Sequence, residues 1–162
     1  MDSALEYTFQ NINNSTCLIE EYLDGGIEYS VESLTYRGTS YIIQITEKIS
    51  SGPPHCVELG HSQPACISRV LKKKIIETIS EALEKIGVTN GPCHTEIKII
   101  KDEIYLIEFN ARPGGDHIAW PLVDLSTGFH YIQAAIKIAC NDFTGVDYKK
   151  IKQRYAGVRF VT

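Results

Sequence analysis

The sequence predicts an α+β fold in which a mainly antiparallel sheet packs against helices. Two observations support this class: segments rich in β-formers occur in neighbouring pairs joined by tight turns, and helical periodicity is confined to separate blocks. Short connections favour antiparallel pairing, because parallel neighbours need a crossover of roughly a dozen or more residues. With 162 residues, the chain is long enough for one domain with its own core.

The first strands are predicted before residue 50. Residues 17–23 (CLIEEYL) are expected to form a strand that ends at a glycine turn. Residues 27–37 and 40–49 are rich in β-formers and flank Gly38, which predicts a hairpin. The segment 50–65 is too rich in Gly, Pro and Ser for a regular element, so we expect a long loop there.

Helical and strand patterns alternate through the rest of the chain. Apolar residues recur at intervals of three and four over 66–87, which predicts an amphipathic helix. The segments 93–101 and 103–109 are predicted strands, and their tight connection at Lys101-Asp102 favours an antiparallel pair. A second helix is predicted over 128–140 and a last strand over 155–161.

The composition excludes several classes of function. A net charge of −4 does not match the basic surface that nucleic-acid binding requires. No apolar run approaches the roughly 20 residues that span a bilayer, and the N-terminal residues lack a signal-peptide pattern. Five cysteines without a CxxC spacing argue against a disulfide framework. We therefore expect a cytoplasmic protein whose partners are neither nucleic acids nor membranes.

The stretch IYLIEFNARPGGDHI, residues 104–118, carries the most informative chemistry. Side chains alternate across a strand, so Glu108, Asn110 and Arg112 share one face if the extended chain persists, with Glu96 on the adjoining strand. Two carboxylates and an amide suit Mg²⁺, and an arginine suits phosphate or carboxylate oxygens. Spacing alone also allows a surface hairpin with a polar end.

Three segments in this order carry a resemblance to a known family: EEYLDGGIEYSVE, then HTEIKII, then IYLIEFNARPGGDHI. Together they resemble the C-terminal part of the ATP-grasp superfamily. More narrowly, they are similar to bacterial carboxylate–amine ligases that include L-amino-acid ligases of the bacilysin-pathway (alanine–anticapsin ligase) type. The resemblance covers residues 15–162 as a partial ATP-grasp domain, and residues 1–14 are expected to lead from an upstream subdomain.

The resemblance implies a site for ATP. A segment with Glu20, Glu21 and Leu23 would read adenine, mostly through its backbone. Glu28, after the glycine turn, would accept the ribose hydroxyls. Lys48 matches, more weakly, a lysine that contacts phosphate.

The resemblance also implies a metal centre and a reaction centre. Glu96, Glu108 and Asn110 match the ligands of Mg²⁺, with Mn²⁺ as an alternative. Asn110 and Arg112 match the catalytic positions, where the arginine stabilises the acyl-phosphate centre. His94 is expected to be structural.

The segment VELGHSQP resembles the substrate loop of the amino-acid ligases, in which Glu58 would pair with an α-ammonium beside His61. Gly114, Gly115 and His117 would complete the substrate site. An alternative interpretation is a zinc site formed by side chains from the same region, although their spacings match no common template: His55, Cys56, His61 and Cys66.

The implied reaction joins a carboxylate to an amine at the expense of ATP, through an acyl phosphate. The expected substrates are small carboxylates and amines, of amino-acid type, and the sequence leaves a homodimer open. The chain lacks a preceding phosphate-binding subdomain, so we expect a fragment that is inactive alone. The alternatives are a biotin-carboxylase-like or glycinamide-ligase-like member, or a non-catalytic binding domain that keeps the fold.

Overall fold

A computed structural model describes residues 2–13 and 16–161. Its centre is a six-stranded sheet in the order β5-β4-β1-β2-β3-β6, in which each neighbouring pair is antiparallel. The predicted α+β class is therefore confirmed. The strands are β1 (Ile27–Tyr36), β2 (Thr39–Ser50), β3 (Glu58–Gln63), β4 (Gly91–Ile100), β5 (Glu103–Asn110) and β6 (Ala156–Arg159).

The helices lie at the start of the chain, between β3 and β4, and between β5 and β6. They are α1 (Asp2–Asn11), α2 (Arg69–Lys85), α3 (Val123–Thr127) and α4 (Tyr131–Ala139), with a π-helical turn at Ile118–Leu122 and a 3₁₀ turn at Tyr148–Lys150. Within the described ranges, none of the helices has the length and apolar character needed to cross a bilayer.

Two tight turns set the register of the sheet. The β1–β2 turn uses Arg37 and Gly38, and the β4–β5 turn uses Lys101 and Asp102, all with positive φ. Two-residue turns with positive φ match the right-handed twist of the strands that they join. Both predicted hairpins are thereby confirmed.

Helix α2 covers one face of the sheet. Ser68 caps it by accepting a hydrogen bond from the backbone N–H of Leu71. Ile75, Ile79 and Leu83 are fully buried, one turn apart on the same stripe. They pack against apolar residues of the central strands: Tyr29, Val31, Ile42, Ile45, Cys93, Ile97 and Ile99. The predicted helix is confirmed, with ends two to three residues inside 66–87.

The opposite face of the sheet is only half apolar. Leu34 and Ile43 pack there against Tyr131 and Ile138 of α4 and against Phe143. The remaining half of this face carries charged and polar side chains. Because α3, α4 and the π-helical turn cover only the apolar half, the polar half is left for a site.

Two predictions of regular structure were wrong in the first part of the chain. Residues 16–24 form no regular element, so the strand expected at 17–23 is absent; β-forming residues need a neighbouring strand, and this segment has none among the described residues. Conversely, the expected loop at 50–65 contains β3, which is stabilised by pairing on both sides with β2 and β6. At Gly60, β6 comes so close that a Cβ would contact the carbonyl oxygen of Val158.

The second helical prediction needs a smaller correction. A helix was expected over 128–140, whereas α4 begins at Tyr131 and the short α3 precedes it. Gly128 separates them with φ of 71°, a conformation that ends a helix. The last strand is confirmed as β6, and the boundary proposed between residues 14 and 15 lies outside the described residues.

Candidate functional site

The polar face of the sheet is built by register. Glu96 of β4 lies opposite Glu108 of β5, and His94 lies opposite Asn110. Glu32 of β1 lies opposite His94 on the other side of β4. Directly opposite residues of antiparallel strands point to the same face, so these side chains converge. We use the term polar face for Glu32, Lys48, Glu58, His61, His94, Glu96, Glu108 and Asn110.

Lys48 lies at the centre of the polar face. Its Nζ is 2.5 Å from Oε1 of Glu58 and 3.0 Å from Oε2 of Glu96, and its side chain is 7% exposed. Burial alone would lower the pKa of this ammonium, but hydrogen bonds to the two carboxylates outweigh burial and raise the pKa. Lys48 therefore stays charged and joins β2, β3 and β4.

His61 is a buried imidazole with unsatisfied nitrogens. Its Nε2 is 3.1 Å from Oε2 of Glu58, yet in the described part of the chain neither ring nitrogen nor this oxygen has a hydrogen-bond partner of acceptable geometry. Burial lowers the pKa of His61, so the ring is neutral near pH 7. Unpaired polar atoms at such depth are costly unless a ligand satisfies them.

Asp116 lies close to the same two side chains. One potential ligand atom from each of Glu58, His61 and Asp116 lies within 4.8 Å of the others. The structure thus joins Glu58 and His61, as the sequence predicts, and adds an acid that the prediction did not include. The zinc alternative finds no support here, because Cys56 and Cys66 are exposed and are absent from this group of described residues.

Glu32 and His94 form a buried pair within the polar face. Nδ1 of His94 is 2.5 Å from Oε1 of Glu32, and its Nε2 is 3.1 Å from Oε1 of Glu96. Burial opposes protonation of His94, but its hydrogen bonds to these two carboxylates raise its pKa to about 9. The hydrogen bond from His94, followed by that from Lys48, lowers the pKa of Glu96 to about 2.

From the sequence, His94 is expected to be structural, and Glu32 is not among the predicted site residues. The structure instead places both in contact with the site. One signal was available: Glu32 stands an even number of positions from Glu28 in a predicted strand, which puts an acid on the face that Glu28 shares. The alternation pattern does not reveal that His94 is its partner.

The residues predicted to bind a metal lie together at the β5 side. Glu96 and Glu108 are cross-strand partners, and the amide nitrogen of Asn110 donates to Oε1 of Glu108. A β-bulge between Glu96 and Ile97 keeps Glu108 and Asn110 on this face. Two carboxylates with the oxygen of an amide form an all-oxygen donor set, which fits Mg²⁺ or Mn²⁺.

Arg112 does not continue this face, so that expectation was wrong. Strand β5 ends at Asn110, and the backbone N–H of Arg112 turns back to donate to the Asn110 carbonyl at 2.8 Å. Its guanidinium is exposed, and Nη1 donates to the carbonyl of Pro113 at 3.0 Å. The reason is the turn before proline, which interrupts the alternation of the strand.

Residues 111–117, which we call the glycine loop, run along the edge of the polar face. The N–H of Gly114 donates to Oε2 of Glu32 at 3.0 Å, whereas Gly115 is exposed. His117 is also exposed, with φ of 66°. The end of the loop is tied to the sheet, because Nε2 of Gln63 donates to the carbonyl of Ile118 at 3.1 Å.

Four of the five residues predicted to bind the nucleotide line one cavity, which Glu96 also lines, whereas Lys48 is not among its lining residues. Its volume is about 290 Å³, and its lining consists of Glu20, Glu21, Tyr22, Leu23, Glu28, Glu96, Ile97, Lys98, Leu106 and Ile107. Residues 20–23 form one wall, and side chains of the sheet form the rest of the lining. The cavity thus brings Glu20, Glu21, Leu23 and Glu28 to the same place as Glu96.

Lys98, which is not among the site residues predicted from the sequence, holds that wall in place. Its Nζ donates to the carbonyl of Leu23 at 2.7 Å, lies 3.6 Å from Oε1 of Glu28, and stands over the ring of Tyr22 at 5.6 Å. Its place two residues after Glu96 puts it on the same face, and this spacing was the available signal.

Comparisons with known proteins place the chain among its relatives. The family described as the ATP-grasp domain matches residues 2–120. The chain is 34% identical to a D-alanine–D-alanine ligase of Flavobacterium johnsoniae over 117 residues, which are 68% of this chain and 35% of the relative. It is 31% identical to an alanine–anticapsin ligase of Bacillus subtilis over 112 residues, 68% of this chain and 23% of the relative.

A solved structure extends the likeness to three dimensions. An L-amino acid ligase from Bacillus licheniformis superposes with a TM-score of 0.70 at 27% identity, covering 82% of this chain and 34% of that one. The chain spans about a third of the length of the first relative it matches.

Proposed function

The chain belongs to the ATP-grasp domain family, and on that premise we propose that it is the nucleotide- and metal-binding part of an ATP-dependent carboxylate–amine ligase. One observation carries the proposal: the pair Glu96 and Glu108 lies beside the cavity lined by Leu23 and Glu28, with Lys48 next to the metal ligands. A remnant that only kept the fold would have no physical need to gather these charges.

The nucleotide would lie along the cavity. Backbone groups of 20–23 present donors and acceptors to adenine, and Glu28 accepts hydrogen bonds from ribose hydroxyls. Lys98 supports this arrangement, since it holds the Leu23 carbonyl and so orients the segment that would meet the base. The phosphates would extend towards Lys48, whose charge is retained despite burial.

Glu96, Glu108 and Asn110 would hold Mg²⁺, with Mn²⁺ as an alternative. The ion, when bound, neutralises charge on phosphate oxygens. Glu96 suits this task because its low pKa keeps it ionised at any physiological pH. His94 and Lys48 fix its two oxygens in place.

The proposed reaction has two steps. A substrate carboxylate oxygen attacks the γ-phosphorus of ATP, which forms an acyl phosphate and releases ADP. An amine nitrogen then attacks the acyl carbon, the C–O bond to phosphate breaks, and the products are an amide, phosphate and one proton. Such transfer relies on positioning and charge neutralisation, which this chain offers through Lys48 and the exposed Arg112.

We propose amino acids as the substrates. Both curated relatives are named as ligases of alanine, and the unpaired atoms of His61 and Glu58 with Asp116 suit the charged groups of an amino acid. The five cysteines are unpaired, which fits the expected cytoplasmic location.

Calorimetric titration of the chain with ADP, with Mg²⁺ and with EDTA, tests the proposal. We expect binding at least about tenfold tighter with Mg²⁺, equivalent to about 1.4 kcal/mol. The absence of binding at millimolar ADP, or binding that Mg²⁺ leaves unchanged, would contradict a nucleotide and metal site on this chain.

A further inference from the structure

Glu32 is a carboxylate buried where the fold has no need of one. It lies in the middle of β1, its side chain is 0% exposed, and Leu34 and Tyr131 lie nearby in the apolar half of the same face. Burying a carboxylate is unfavourable unless hydrogen bonds or a countercharge compensate. An apolar residue at this position would be the simpler choice for stability alone.

Both oxygens of Glu32 are used. Oε1 meets Nδ1 of His94 at 2.5 Å, and Oε2 accepts the N–H of Gly114 at 3.0 Å. Nε2 of His94 then meets Oε1 of Glu96, and Oε2 of Glu96 accepts from Lys48. A continuous chain of direct contacts therefore joins the glycine loop to the proposed metal ligand Glu96.

The glycine loop also packs directly on this pair. A Cβ at Gly114 would lie 2.5 Å from Oε1 of Glu32 and 2.7 Å from Nδ1 of His94, so that this buried pair would have to shift to admit it. At Gly115, no atom of the described residues lies within 4 Å of the corresponding position. The close approach is thus specific to the residue whose N–H Glu32 binds.

We propose that Glu32 and His94 are positioning residues: Glu32 holds the glycine loop through Gly114, and His94 transmits that position to Glu96. The loop and the metal ligand then keep a constant relative placement. The part concerning the metal and the nucleotide rests on the proposed function, whereas the anchoring of the loop does not.

Three variants separate positioning from simple folding stability. In Glu32→Gln, the amide oxygen can still accept the hydrogen bond from the N–H of Gly114. The amide nitrogen can donate to Nδ1 of a neutral His94. Glu32→Leu removes both contacts. Val31→Ala is the matched control. Val31 comes directly before Glu32 in β1 and is equally buried, but its side chain faces α2.

Two measurements are made on each variant of the full chain. The first is the ¹⁵N–¹H spectrum, in which the Gly114 amide proton, donated to a carboxylate, serves as the signature of loop anchoring. The second is titration with Mn²⁺ and ADP. We expect Glu32→Leu to move the Gly114 amide upfield and to raise the Kd for Mn²⁺·ADP at least about tenfold. Glu32→Gln and Val31→Ala should change the Kd less than about twofold.

His94→Gln covers the case in which Glu32→Leu does not fold. A glutamine cannot bridge both carboxylates, so the Kd should rise while the Gly114 amide stays near its native position. An unchanged Kd in every folded variant would overturn the coupling to Glu96, and an unmoved amide in Glu32→Leu would overturn the anchoring. If Val31→Ala lost as much affinity, Glu32 and His94 would have only a structural role. If the unsubstituted chain fails to bind Mn²⁺·ADP, the proposed function fails, and the amide signal still decides the anchoring.

Discussion

Lys48 and Glu96 form an ion pair that spans a whole strand, with Nζ 3.0 Å from Oε2. Lys48 belongs to β2 and Glu96 to β4, and β1 lies between them. Ser30 of β1 is the residue opposite Glu96, and its small side chain leaves room for the lysine to cross. The ion pair therefore links β2 to β4 across β1 on the polar face.

Lys48→Met should destabilise the protein by about 2 kcal/mol, because Glu58 and Glu96 would face each other without a cation in a partly buried site. Loss of the lysine should also raise the pKa of Glu96. Urea unfolding measures the first effect. Lys73→Met is the control, since its pair with Glu77 on α2 is exposed and should contribute nothing measurable. Equal stability of both variants would show that the buried ion pair is dispensable.

Glu108→Gln should abolish the Mg²⁺-dependent part of ADP binding and leave the fold intact, because the side chain is exposed and lies opposite Glu96. An amide cannot supply the charge that the cation requires. Titration of the variant with ADP and Mg²⁺ checks this. Glu103→Gln, at the other end of β5, is the matched control and should bind as the native chain does. Mg²⁺-dependent binding that survives in Glu108→Gln would disprove the metal assignment.

Gly114→Ala should cost about 2 kcal/mol or more, because its methyl group would push into Glu32 and His94. Gly115→Ala, one residue later, places its methyl group where none of the described residues comes within 4 Å, so its stability should stay within about 0.5 kcal/mol of the native protein. Thermal unfolding of the two variants under the same conditions makes the comparison. Equal stabilities would mean that the glycine loop is free to move away from the pair.

His94 predicts a loss of stability at alkaline pH. Its pKa rises from 6.5 to about 9 on folding, so its contribution is fully present below about pH 6.5 and is lost as the pH rises through about 9. A shift of this size corresponds to about 3 kcal/mol. Urea unfolding at about pH 6 and about pH 10 measures the free energy of unfolding of the native chain and of His94→Gln. The difference in this free energy between the two proteins should be smaller at the higher pH by that amount. Glu96 titrates near 2 and does not contribute in this range. A constant difference between the two proteins would contradict the raised pKa.

Lys98→Met should weaken ADP binding about tenfold with little change in stability, because the segment 16–24 would lose the donor to the Leu23 carbonyl. Calorimetric titration measures the affinity, and Lys73→Met again serves as the control for a lost lysine charge. Native affinity in Lys98→Met would show that the segment is oriented without this contact.

The elements that the sequence predicted correctly are those encoded locally. The turns at Gly38 and at Lys101-Asp102, and the apolar stripe of α2, depend on residues within a few positions of one another. Strand β3 could not be predicted in this way, since its stability comes from β2 and β6 on either side. The strand predicted at 17–23 is absent for the converse reason. Its residues favour a strand, but no neighbouring strand among the described residues pairs with them.

The candidate site also contains some residues that local sequence patterns predict and others whose position depends on the folded chain. Alternation along β5 and the resemblance of the motifs pointed to Glu96, Glu108 and Asn110 from sequence alone. Because the chain turns after Asn110, Arg112 does not share the face of these three residues. The alternation of side chains along a strand does not predict this turn.

By itself, the sequence determined the fold class, the two hairpins and the acidic strand ends, because each depends on local periodicity and turn chemistry. Only the tertiary structure decided how Glu32, His94 and Gly114 meet. His94 is 62 positions from Glu32 in the chain, and Gly114 is 82 positions from it. Contacts at such separations depend on strand order, register and burial in the folded sheet, which no local pattern of residues encodes.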